Sequence, residues 1–130
     1  MKRTILQAAC IVLLLATSAF AHHSYGDFDR NHPVSVEGTI QQVIFGNPHA
    51  MLQVRTDGNV VYTAEWGNAL QLSRTGVKPG VLRPGDRIVI TGSPFRDRSF
   101  HTISLLTDVR RPSDGWHWSG TGVRIDGRAK

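Results

Sequence analysis

The stretch VSVEGTIQQVIFGNPHAMLQVRTDGNVVYTAEW, residues 34–66, decides the fold. Val34, Val36, Gly38 and Ile40 share one parity of a period-two strand, whereas Val43 and Phe45 fall on the other. One extra residue near Gln41-Gln42 is therefore expected, a bulge that bends the strand, with Gly38 assisting the curvature. Gly46-Asn47-Pro48 breaks the run, and Ala50, Leu52 and Val54 resume it in a second strand. Asp57-Gly58-Asn59 then reads as a hairpin turn, because Gly and Asn accept the positive φ of a tight connection. The third strand is Val60 to Trp66, with Val60, Tyr62, Ala64 and Trp66 on one face.

Downstream, Asn68 caps a helix from Ala69 to about Thr75, with Gln71 three residues past the cap and Gly76 as its terminator. Lys78-Pro79-Gly80 and Arg83-Pro84-Gly85-Asp86 are turns, since Pro presets φ and Gly supplies the left-handed position. Ile88-Val89-Ile90 forms a fourth strand ending near Gly92, and Thr102 to Thr107 a fifth. Five strands, a helix between the third and fourth, and a bent first strand define the fold class: all-β with one short helix, an OB-fold-like five-stranded barrel over residues 34–109. Val36, Ile40, Leu52, Val54, Tyr62, Ala64, Ile88 and Ile90 hold the inward parity. Residues 110–130 form a C-terminal tail, either an edge hairpin around Trp116-His117-Trp118 or a mobile segment.

Upstream, residues 22–33 read as an N-terminal arm and residues 1–21 as an address. Lys2-Arg3, the apolar run Ile11-Val12-Leu13-Leu14-Leu15-Ala16 and the terminal Ala19-Phe20-Ala21 have the three parts of a secretory signal peptide, with cleavage after Ala21. The apolar run is shorter than the roughly 20 residues a membrane helix needs, so no transmembrane anchor is expected. Cys10, the one cysteine, precedes most of that run and is misplaced for a lipid anchor. The expected location is periplasmic or secreted. The formal charge of +5 loses Lys2 and Arg3 on cleavage, leaving 13 basic residues against 10 acidic ones, or +3. That modest excess argues against a nucleic-acid partner. A 40% hydrophobic and 19% charged composition excludes a disordered chain.

Several further elements occur together: Ala21-His22-His23-Ser24, Phe28-Asp29, Pro33-Val34 leading to Gly38-Thr39-Ile40, and Asn47-Pro48-His49. Asn68-Ala69-Leu70, Leu82-Arg83-Pro84-Gly85-Asp86 and Gly92-Ser93-Pro94 follow. From the cleavage site to about Asp108 the chain resembles the domain of unknown function 6152 family of small exported bacterial proteins. It departs from that pattern at Phe45-Gly46, where a tryptophan-containing approach to Asn-Pro-His is expected. The resemblance implies an exported single domain and brings no established activity.

Six histidines with no mature cysteine are the notable chemical excess. Cleavage after Ala21 sets the α-amino group of His22 beside its own imidazole, so that amine and ring can chelate one ion. Such nitrogen-rich sites suit Cu(II) or a related divalent metal. The candidate metal ligands are therefore His22, His23 and His49, the last held in the turn after Pro48; against this stand a frayed terminus and a turn histidine bonding its own backbone. Trp116-His117-Trp118 can be a stacking platform or an edge strand with one half-buried face. Arg96 and Arg98 lie in a loop that OB-folds use for ligand contact, or simply keep it wet. Glu65 and Asp86 are a conceivable acid and base pair, but nothing in the sequence places them together, and strand-end carboxylates usually face solvent.

No phosphate loop, nucleophile elbow or His-Glu-x-x-His motif is present, so the chain is not expected to be an enzyme. The reading is an exported binding module with copper as the leading ligand. The competing reading is a metal-free envelope interaction or structural protein that docks through its barrel face and Trp-containing tail.

Overall fold

A computed structural model describes residues 25–126. Strand β1 (Val34–Ile44) serves two partners. Its first half pairs antiparallel with β4 (Arg87–Pro94), from Val34↔Gly92 to Thr39↔Arg87. Its second half pairs with β2 (Met51–Arg55), and the register shifts between Ile40 and Gln42. The bulge expected at Gln41-Gln42 is thus present, and it bends β1 from one neighbour to the other. Gly38 sits where a Cβ atom would lie 2.3 Å from the carbonyl oxygen of Arg55, so only glycine permits this backbone approach.

β3 (Val61–Glu65) pairs antiparallel with β2 after the Asp57-Gly58-Asn59 turn, where Asn59 takes φ 62°. β5 (Thr102–Arg111) pairs antiparallel with β4 and meets β3 in parallel at Thr63↔Thr102 and Ala64↔Ile103. The cycle β1-β2-β3-β5-β4 returns to β1 and closes a five-stranded barrel with the OB-fold order. Between β3 and β4 lies the helix α1 (Ala69–Arg74), opened by a capping box in which Asn68 and Gln71 each accept from the other's backbone N–H. Gly76 follows at φ 89°.

Ile40, Leu52, Val54, Ala64, Ile88 and Ile90 are buried to within 1% exposure, and Val36 joins them in the core. Tyr62 is half-buried, its ring edge-on to His101 at 5.3 Å. β4 and β5 run longer than alternation suggests. β4 continues to Pro94, paired with Ile103, and the second half of β5 carries a hairpin of β6 (Trp116–Ser119) and β7 (Gly122–Ile125).

The tail is where the sequence reading needs correction. Trp116, His117 and Trp118 are 4%, 3% and 6% exposed, so β6 is buried on both faces, not half-buried at an edge. The tryptophans enter the core, Trp118 meeting Trp66 edge-on at 4.9 Å. On the opposite face His117 sets Nδ1 2.6 Å from Asp126 Oδ2 and Nε2 against Asp108 Oδ2. Carboxylates at both ring nitrogens are what allow a histidine to be buried there. Among the described residues no helix is long and apolar enough to cross a membrane.

Candidate functional site

A cleft of about 640 Å³ lies between α1 and β5. Its walls follow from local chain chemistry. The β1–β2 loop is tied to the start of α1: Asn47 Oδ1 and the Gly46 carbonyl both accept from Ala69 N–H, each at 3.2 Å. Ala50 and Trp66–Gly67 exchange backbone bonds at 2.8 and 3.0 Å. These bonds hold His49 at one end of the cleft, beside Trp66 and Asn68.

The opposite wall is an irregularity in β5. Thr91 pairs with Asp108 and Ser93 with Ser104, so residues 105–107 stand opposite Gly92 alone. A Cβ at Gly92 would lie 2.7 Å from the Ser104 carbonyl oxygen, so the bulge is seated directly on the glycine backbone. Leu105 takes φ 51° there. A leucine in the left-handed region costs on the order of 1–3 kcal/mol, and such strain gathers at functional sites. Leu105 lines the cleft. So does Trp66, whose buried Nε1 has no hydrogen-bond partner among the described residues. An unmet buried donor costs about 1–3 kcal/mol.

Beside this cleft runs a second groove of about 340 Å³, lined by Asp27, Phe28, His49, Glu65, Phe95 and Phe100. His49 belongs to both, and Ser104 Oγ on the first side donates to Glu65 Oε2 on the second at 3.2 Å. The two concavities meet at His49. The second groove lies between the β1–β2 and β4–β5 loops, the two loops with which OB-folds contact ligands.

The N-terminal arm is docked across this region. Asp29 N–H donates to the Pro94 carbonyl at 2.9 Å and Arg96 N–H to the Asp27 carbonyl at 2.8 Å. Phe28 bridges to Phe95, their rings edge-on at 5.3 Å. Burial works to raise the Asp29 carboxyl, but the hydrogen bond and charge of His32, with Asn31 N–H and Arg96, hold it below the ordinary carboxylate range. The arm thus carries Tyr25 into the first cleft, the one that His49 lines.

Of the residues proposed from sequence, His22 and His23 lie outside the described residues, as does the segment 1–21. His49 is on the cleft rim. Among the described residues no three His, Cys, Asp or Glu side chains gather as a metal-binding group. Arg96 and Arg98 are engaged with the arm, Arg96 Nε donating to the Gly26 carbonyl at 3.1 Å and Arg98 pairing with Asp29 at 3.5 Å. Glu65 and Asp86 have separate partners, Ser104 for the first and Arg111 with the Arg83 N–H for the second, so they form no acid and base pair. Trp116 and Trp118 are too buried to form an open stacking platform, and of the two Trp118 lines the cleft.

Sequence reasoning missed Trp66, Leu105 and Arg74 as parts of the cleft. Trp66 had a signal, standing last on the inward face of its strand where a barrel opens. Leu105 had none, because its conformation comes from the contact with Gly92. No curated protein matches the chain. Residues 9–104 match the model of a family of unknown function, DUF6152. That match spans most of the sequence, and the chain with its closed barrel and His49-centred groove belongs to this family.

Proposed function

We propose that the protein is an exported binding module that takes Cu(II), or a related divalent metal, through the mature amino terminus and His49. The amine and imidazole of His22 chelate the ion, His49 adds a nitrogen from the rim, and His23 is available to complete the set. The observation that carries the reading is that Tyr25 and His49 line one cleft. Residue 22 is three residues from Tyr25, a tether of at most about 11 Å from the anchored arm. A short tether lowers the entropy lost in assembling the site. Glu65, lining the groove that shares His49, offers an oxygen donor on the same rim.

Calorimetric titration of copper into three forms tests this: the processed chain, the same chain with one residue added before His22, and His49→Ala. The processed form binds in the micromolar range or tighter, and both altered forms bind at least about tenfold more weakly. Equal binding by all three overturns the site.

A second reading is favoured by Phe100. It is 64% exposed on the groove rim, with its ring edge-on to Phe95 at 5.1 Å. An envelope partner could dock there without metal. Trp116 and Trp118, being in the core, take no part in such docking.

A further inference from the structure

The 640 Å³ cleft has features that the metal reading does not use. Its volume falls within the range of small-molecule sites. Its lining includes Arg74 but no Asp or Glu, so the formal charge on its wall is positive. Arg74, at the last turn of α1, makes no salt bridge among the described residues. Trp66 supplies a buried donor without an acceptor among the described residues. Leu72, Leu106 and Trp118 add apolar wall, and Leu105 closes it in a conformation that β5 would not adopt for pairing alone.

We propose that this cleft binds a small organic carboxylate with an apolar body. The carboxylate is held by the Arg74 guanidinium at the mouth, and the body lies against Trp66, Trp118 and the leucines. A planar guanidinium matches a carboxylate in two parallel hydrogen bonds, which selects this group over a neutral one. An inorganic anion would leave the apolar wall wet. The strain at Leu105 then has a physical role, since it sets the leucine against the bound body. This site requires neither His22 nor copper, so it is separable from the metal reading.

The test uses the processed, chelator-treated protein and three probes: benzoate, acetate and benzyl alcohol. Binding is followed by calorimetry and by the indole N–H resonances of Trp66, Trp116 and Trp118. Benzoate is expected to bind with Kd below ~1 mM and to move the Trp66 resonance more than that of Trp116. Acetate, lacking the body, and benzyl alcohol, lacking the charge, should each bind at least about tenfold more weakly. Arg74→Gln, an exposed substitution, should weaken benzoate by about tenfold while leaving the unfolding midpoint unchanged. No benzoate binding up to ~10 mM overturns the site. Acetate or benzyl alcohol binding as tightly as benzoate, unaltered affinity in Arg74→Gln, or resonance changes confined to Trp116 would overturn it equally.

Discussion

Trp118 Nε1 donates to Thr75 Oγ1 at 3.0 Å, joining the C-terminal hairpin to the end of α1 across 43 positions of sequence. Thr75 is the C-cap of the helix, and its hydroxyl also donates to the Leu72 carbonyl at 3.0 Å. The helix, the hairpin and the cleft between them therefore share one polar anchor, set against the Trp66–Trp118 contact.

From this anchor, Trp118→Phe should destabilise the protein by about 1–2 kcal/mol, because it removes the donor and leaves Thr75 short of a partner. Trp118→Ala should cost about 3–5 kcal/mol through the cavity it opens. Urea midpoints of both variants check the values. A loss under 1 kcal/mol for the alanine variant would mean that the hairpin is not integral to the core.

Gly38→Ala places a methyl group 2.3 Å from the Arg55 carbonyl oxygen, with backbone on both sides of the clash. The expected cost is about 2–3 kcal/mol. Gly26→Ala, whose Cβ meets nothing within 4 Å, is the control and should change stability by less than about 0.5 kcal/mol. Similar midpoints for the two variants would contradict the close approach of β1 and β2.

Acid should weaken the fold in part through Asp114. Its hydrogen bond from Arg111 holds the carboxyl below the ordinary value. Arg111 in turn binds Asp86 at 2.8 Å and the Val81 carbonyl at 2.7 Å. Just below the unfolded Asp value of about 3.9, the unfolded chain binds more protons at this position than the folded one. Stability from this group is therefore present above that pH and is lost as pH falls through the lower folded value. Asp114→Asn should flatten the stability profile below about pH 4. Profiles of the same slope for the variant and the parent would show that the pair contributes nothing.

Export should yield a chain beginning at His22. Intact-mass measurement of periplasmic material reads this directly. A retained leader, or a start beyond His23, removes the amine and imidazole chelate and with it the copper site.

Copper affinity should fall as pH drops below the ordinary histidine value of about 6.5, because the amine and imidazoles must lose protons to ligate. Titrations at pH 7.5 and 5.5 measure the change. Affinity independent of pH across this interval would point to carboxylate ligation in place of histidine.

Parity, caps and turns are local properties of the chain, and residues close in sequence determined them alone. The bulge at Gln41-Gln42, the turn at Asn59 and the capping box of Asn68 with Gln71 each need only neighbours a few positions away. The barrel order followed once those pieces were laid end to end. The cleft did not, because it joins Tyr25, His49, Trp66, Arg74, Leu105 and Trp118 from six separate elements. The burial of His117 likewise needed Asp108 and Asp126 from two other segments. Period-two alternation tells which side of a strand is apolar, but it is silent on what lies opposite. Only the closure of β3 on β5 and the folding of the hairpin over α1 brought those side chains together, because packing selects partners by shape and charge across the whole chain.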